Sequence, residues 1–132
     1  MAYAHPRRDG GSGPAAAISI LVLDDEALIA YDVAALVEGM GHDVLGPCVG
    51  LDEAEAAIDA SRPDFAILDI DIDGDPVWPF ARRLRKRGCG ILFVSANRNH
   101  AELTGEFAEC AALEKPAAPA AIRAVIADRA AA

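Results

Sequence analysis

The sequence predicts an α/β fold, a doubly wound five-stranded parallel sheet with helices on both faces. Three observations point there. Short apolar runs recur along the chain, at Ile18-Ser19-Ile20-Leu21-Val22-Leu23, Phe65-Ala66-Ile67-Leu68 and Ile91-Leu92-Phe93-Val94, and such runs suit strands buried on both faces. Stretches with helical spacing lie between them, which gives the order βαβαβαβαβ and a last α; right-handed crossovers turn that order into a doubly wound sheet. Hydrophobic residues make up 53% of the chain but aromatics only 5%, as expected where Ala-rich helices pack closely on a sheet.

Residues 1–17 hold Pro6, Arg7, Arg8, Asp9, Gly10, Gly11, Ser12, Gly13 and Pro14 and almost no large apolar side chain, so they read as a flexible leader. The first strand, Ile18 to Leu23, stops at Asp24-Asp25-Glu26. Ile29, Val33, Leu36, Val37 and Met40 then fall on one helical face, and Gly39 or Gly41 can end that helix. A weaker strand around Val44 and Leu45 is broken by Gly46-Pro47. Asp52 or a neighbour opens an Ala-rich helix to about Ala60, which Ser61-Arg62-Pro63 stops. The third strand, Phe65 to Leu68, runs into the alternating aspartates Asp69, Asp71, Asp73 and Asp75.

Pro76 and Pro79 are tolerated in a helix's first turn, so a third helix is expected from there through Phe80, Ala81 and Leu84 to Gly88. Ile91 to Val94 is the fourth strand and ends in Ser95; Asn97 to Phe107 reads as a short helix or a loop. A brief fifth strand, Ala111 to Leu113, precedes Glu114-Lys115-Pro116, and Ile122, Val125 and Ile126 mark a last helix ending near Arg129. The expected domain is thus 18–129, with 130–132 as a tail.

Composition excludes several function classes. A formal net charge of −9 argues against non-specific nucleic-acid binding, which needs a basic footprint, and is compatible with a cation site. The run Arg82, Arg83, Arg85, Lys86 and Arg87 is explained by the negative end of a helix dipole. Cys48, Cys89 and Cys110 are odd in number, widely spaced and without a CxxC pair, as buried thiols of a reducing cytoplasm would be. No stretch approaches the ~18 apolar residues of a membrane span, and the start carries no hydrophobic signal core. His5, His42 and His100 have no ligand spacing, and Trp78 reads as packing near the acidic loop.

The predicted topology gathers particular residues at one edge. Asp24 and Asp25 end the first strand, Asp69 the third and Ser95 the fourth, while Lys115 follows the fifth. In open α/β sheets the carboxyl edge is where ligands bind. Three carboxylates that close should raise at least one pKa unless a cation joins them, and hard oxygen ligands beside a phosphate suit Mg2+. A lysine and a hydroxyl aimed at the same point suit phosphoryl oxygens. Together they describe a carboxylate nucleophile beside a divalent ion.

On these residues the sequence resembles the receiver domain of two-component response regulators, of the stand-alone type. The resemblance runs from about Ile18 to Arg129 and rests on Leu23-Asp24-Asp25-Glu26, Leu68-Asp69-Ile70, Phe93-Val94-Ser95-Ala96 and Glu114-Lys115-Pro116, in the family's order. It implies the flavodoxin-like receiver fold and a signalling switch rather than an enzyme. Asp69 would accept a phosphoryl group from a phosphohistidine on a sensor histidine kinase or histidine phosphotransfer protein, with Ser95 and Lys115 assisting. Mg2+ would be held by the Asp25 and Asp69 side chains and the Asp71 backbone carbonyl, with Asp24 acting mainly through water. Output would pass to a downstream protein, without nucleic acid or membrane, in the cytoplasm.

Three rival readings compete with that one. Asp69-x-Asp71-x-Asp73-Gly74 matches half of a calcium loop, but Phe80 stands where a bidentate Glu is required. Asp71-Ile72-Asp73-Gly74 looks like the motif of aspartate-nucleophile phosphatases, but two βα units precede it. A phosphorylation-independent pseudo-receiver would usually lack a site residue, and none of Asp24, Asp25, Asp69, Ser95 and Lys115 is missing. One departure from the family pattern bears on mechanism: Ala112 stands three residues before the lysine, where receivers usually carry Tyr or Phe as a moving switch.

Overall fold

The computed structural model describes residues 16–131, so the leader expected at 1–17 lies, up to residue 15, outside the described residues. Its elements run β1 (Ser19–Leu23), α1 (Ala27–Gly39), β2 (Asp43–Cys48), α2 (Leu51–Ala60), β3 (Phe65–Leu68), β4 (Asp71–Ile72), β5 (Asp75–Pro76), α3 (Trp78–Lys86), β6 (Gly90–Ser95), α4 (Ala101–Thr104), β7 (Ala111–Glu114) and α5 (Pro119–Ala131). The five long strands form one parallel sheet in the order β2-β1-β3-β6-β7. That is the doubly wound sheet the sequence predicts.

Alternation along the central strands feeds two separate cores. Leu21, Leu23, Ala66, Leu68, Ile91 and Phe93 point to one face, where Ala54 and Ile58 of α2 and Phe80, Ala81 and Leu84 of α3 cover them. Ile20, Val22, Phe65, Ile67, Leu92 and Val94 point to the other, under Val37 of α1 and Ile122 and Ile126 of α5. Burying such a side chain is worth about 1.5–3 kcal/mol each, so both faces resist any slip in register.

Local differences from the sequence reading have identifiable causes. Gly46-Pro47 does not end β2; the pair sits inside it as a bulge, where the pairing with β1 jumps from Leu21↔Leu45 to Leu23↔Cys48. An edge strand tolerates a proline because one side of its ladder is unpaired. Gly46 is needed there: its φ is +106°, and a Cβ would lie 2.6 Å from the Cys48 nitrogen. The buried stripe of α1 runs through Ala30, Ala34 and Val37, with Val33, Leu36 and Met40 at its margin, while Leu28 and Tyr31 stand exposed. Helix α5 continues past Arg129 through Ala130 to Ala131, since alanines carry a helix without needing a partner.

The acidic loop holds an element that the sequence does not predict. β4 and β5 pair antiparallel, Asp71 with Pro76 and Ile72 with Asp75, around a tight turn in which Asp73 (φ 53°) and Gly74 (φ +88°) are left-handed. Ile72 and Val77 are buried and pin this hairpin to the core. Phe80, the twelfth position of the would-be calcium loop, is core as well, which removes that reading. The basic run of α3 is largely neutralised: Arg82 forks onto Glu106, Arg83 meets Glu55 and Asp59, and Arg85 meets Glu109.

Candidate phosphoryl-acceptor and metal site

Backbone ladders carry the site residues to the carboxyl edge. The Asp24 amide donates to the Cys48 carbonyl at 3.0 Å, the Asp69 amide to Leu23 at 2.9 Å and the Lys115 amide to Ser95 at 2.9 Å. Each bond extends a strand pair by one residue. Four stretches distant in sequence therefore meet, bringing together Asp24 and Asp25, Asp69, Ser95 and Lys115.

Asp24, Asp69 and Ser95 are buried although polar, and each finds partners. Asp24 Oδ1 accepts the Glu26 amide at 2.9 Å, and its Oδ2 lies 2.9 Å from Lys115 Nζ. Asp69 Oδ1 accepts the Ile70 amide at 2.8 Å, while its Oδ2 accepts from Lys115 Nζ at 3.1 Å. Asp25 Oδ2 takes the Asp73 amide at 2.8 Å, tying the hairpin to the end of β1. Ser95 Oγ accepts the Asn97 amide at 3.3 Å.

The crowding of carboxylates has the expected electrostatic result. Burial, reinforced by the Asp24 charge, pushes the Asp69 carboxyl up to about 6, against the pull of Lys115 and the Ile70 amide. Burial works against the Lys115 ammonium, but its bonds to Asp24 and Asp69 more than offset this and raise its pKa. Carboxylate oxygens of Asp24, Asp25 and Asp69 all lie within 4.8 Å of one another. Three hard, anionic oxygen donors in a partly open position fit a divalent cation, whose charge would relieve the repulsion that lifts Asp69.

These groups border a cavity of about 410 Å3. Asp25, Glu26, Asp69 and Asp71 make it acidic, Lys115 supplies the cation, and Ser95, Asn97 and His100 reach it from β6 and the segment that follows. Asp71 is exposed at the cavity's margin, on the hairpin. Two of these residues are not marked as site residues by the sequence. Glu26 approaches Lys115 at 3.3 Å, a contact its place directly after the aspartate pair could have suggested. His100 joins the site only through the path of the chain after β6, for which neither spacing nor periodicity gives a signal.

Trp78 is packing, as its sequence position suggests, and the packing is extensive. Its ring stacks on Phe107 at 5.7 Å and meets Phe93 and His100 edge to face at 5.5 and 5.6 Å. Arg85 covers Phe107, 4.4 Å from the centroid of its ring.

No family model matches the chain. It is 40% identical over 114 residues to the Phyllosphere-induced regulator PhyR of Methylorubrum extorquens, a match that takes in 83% of this chain and 42% of that protein. The chain thus spans less than half the length of that curated relative. Among solved structures, the PhyR response regulator REC domain of Erythrobacter litoralis has a TM-score of 0.76 at 24% identity and covers 91% of this chain and 92% of its own. A response regulator of Burkholderia pseudomallei, solved with a phosphorylated aspartic acid, a calcium ion and citrate, has a TM-score of 0.71 at 24% identity, over 81% of this chain and 65% of its own. The likeness of fold, the relative at 40% identity and the acidic, hydroxyl and lysine residues met at one sheet edge agree: the chain has the receiver fold and is similar to the receiver domains of two-component response regulators.

Proposed function

We propose that Asp69 accepts a phosphoryl group from a phosphohistidine donor, with Mg2+ bound by Asp25 and Asp69, the Asp71 carbonyl and, through water, Asp24. The observation that carries this is the Lys115 ammonium, held between Asp24 and Asp69 beside a cluster of three carboxylates. When bound, the ion would neutralise phosphoryl oxygens and the repulsion among the carboxylates. The phosphorylated aspartic acid and calcium ion of the Burkholderia pseudomallei regulator support the reading by analogy.

The residues of this chain would divide the work. A carboxylate oxygen of Asp69 attacks phosphorus, the P–N bond of the donor breaks, and its electron pair returns to the imidazole, which takes a proton from solvent. With its pKa near 6, Asp69 is ionised and nucleophilic at neutral pH. Lys115 then exchanges the Asp69 carboxylate for a phosphoryl oxygen while keeping Asp24. Ser95 presents its hydroxyl to another oxygen and in doing so releases the Asn97 amide, which begins the segment before α4. The donor is a sensor histidine kinase or a histidine phosphotransfer protein, and the phosphorylated domain signals through contact with a downstream protein or passes the group on. A phosphorylation-independent binding module has one feature in its favour, the missing switch ring at Ala112.

Intact-protein mass after incubation with acetyl phosphate tests the reading. A gain of one phosphoryl group that needs Mg2+ and vanishes in Asp69→Asn is expected. If the protein neither gains that mass nor binds beryllofluoride in the presence of Mg2+, the reading is wrong and the binding-module alternative takes its place.

A further inference from the structure

We propose that His100 is a phosphoryl-contacting residue of this site, donating an imidazole N–H to the group on Asp69. This rests on the phospho-acceptor reading above and adds to it a residue that no sequence motif assigns. Three observations converge on it. The imidazole lines the same cavity as Asp69, Ser95 and Lys115. Its ring packs edge to face on Trp78 at 5.6 Å, and Trp78 in turn packs against Phe93 and Phe107. Among the described residues neither ring nitrogen has a hydrogen-bond partner, whereas the polar side chains of Asp24, Asp25, Asp69, Ser95 and Lys115 are all engaged.

A half-buried imidazole with a braced ring and unengaged nitrogens is pre-organised for a ligand that brings acceptor oxygens. The other groups nearby are differently placed: Lys115 is shared among Asp24, Asp69 and Glu26, and the Ser95 hydroxyl and the Asn97 side-chain oxygen accept the Asn97 and Asn99 amides at 3.3 and 2.9 Å. The cavity is also acidic, with Asp25, Glu26, Asp69 and Asp71 against Lys115, so a phosphoryl group entering it needs every donor available. His100 is the residue preceding α4, and its carbonyl accepts the Leu103 amide at 3.0 Å. That bond carries any movement of His100 directly into the helix.

Beryllofluoride with Mg2+, measured by calorimetry or fluorine NMR, is the probe, since it mimics the phosphoryl group without turnover. His100→Phe keeps an aromatic ring against Trp78 and removes the N–H donor; His100→Gln keeps a donor. His100→Phe is expected to weaken beryllofluoride binding about tenfold or more, the factor typical of a hydrogen bond to a charged oxygen. His100→Gln should recover part of that loss, and the affinity for Mg2+ alone should stay unchanged in both variants. Equal beryllofluoride affinity in wild type and His100→Phe overturns the inference, as does an equal loss of Mg2+ and beryllofluoride binding in both variants, which would mark a structural role. If the wild type itself binds no beryllofluoride, the phospho-acceptor reading fails first and the role of His100 with it.

Discussion

Replacing Asp69 with Asn should make the metal-free protein more stable at neutral pH, although it removes an ion-pair partner from Lys115. The folded state raises the Asp69 pKa from 3.8 to about 6. The residue is only 7% exposed, so solvent screens little of this, and at about 1.4 kcal/mol per pH unit holding the ionised form in place costs about 3 kcal/mol. A folded pKa above the unfolded one fixes the sign: the cost is absent below about pH 4, grows as pH rises toward about 6 and is complete above that. The amide is nearly isosteric and keeps the bond from Ile70, but it gives up Lys115, whose ammonium still reaches Asp24 at 2.9 Å and Glu26 at 3.3 Å. The value of about 6 already contains the pull of Lys115, so its loss is not subtracted a second time and the gain is about 3 kcal/mol. Urea unfolding in EDTA, repeated from about pH 3.5 to 8, reads it as a midpoint difference that opens between about pH 4 and 6. Added Mg2+ should close the gap, because the wild type offers the ion three carboxylates and the variant two. A variant less stable than wild type at about pH 7.5 in EDTA, or a difference that does not change with pH, would refute the argument that repulsion and burial dominate this site.

Packing and burial set three further outcomes. Phe107→Ala removes a buried ring that touches Phe93, Trp78 and Arg85, and should cost about 3–5 kcal/mol in urea unfolding. Gly46→Ala forces a Cβ to 2.6 Å from the Cys48 nitrogen at a φ of +106°, so a loss of about 1–3 kcal/mol is expected by thermal unfolding. Burial, with Glu53 adding to it, pushes the Cys48 thiol up to about 11, and burial takes Cys89 up to about 12. At about pH 8 both should alkylate at least about a hundredfold more slowly in the folded protein than in urea, where the thiol returns to about 8.5. Peptide mapping after a timed iodoacetamide pulse reads this site by site.

The sequence made the sheet legible because its central strands are buried on both faces, and continuous apolar runs such as Phe65 to Leu68 have few other uses. The edge was legible for a related reason: Asp24, Asp69 and Ser95 each break such a run, and a polar residue directly after a buried strand is placed by the strand itself. What escaped lies where tertiary contacts override local pattern. Gly46-Pro47 reads as a breaker, yet β1 holds the chain in register on either side of it. The β4–β5 hairpin is two residues a side, too short for periodicity, and depends on Asp25 binding the Asp73 amide. In 97–107 only four residues are helical, and the rest is held, through Phe107 and Glu106, by Trp78 and the α3 arginines, partners remote in sequence.

Under the proposed function, that last segment bears on how a signal passes without an aromatic at position 112. Ala112 leaves nothing to swing inward beside Ser95, but the pocket has another aromatic route outward. His100 lines the cavity and touches Trp78, Trp78 stacks on Phe107, and Phe107 lies under Arg85, which binds the Glu106 carbonyl and the Glu109 side chain. Arg98 adds a second tie, donating to the Ala112 carbonyl itself at 3.1 Å. Ser95 and His100 therefore flank a stretch fastened at both ends, to the site on one side and to α3 and β7 on the other. Exposed single-contact ion pairs such as Arg85–Glu109 are individually weak, so they hold this segment without locking it. With α4 reduced to Ala101–Thr104 there is little helical structure to melt, and a shift of the Ser95 hydroxyl that frees the Asn97 amide alters the segment's first turn directly. A signal routed this way moves backbone between Asn97 and Phe107 rather than a single buried ring, and it changes the surface formed by that segment and β7 where a partner protein can read it.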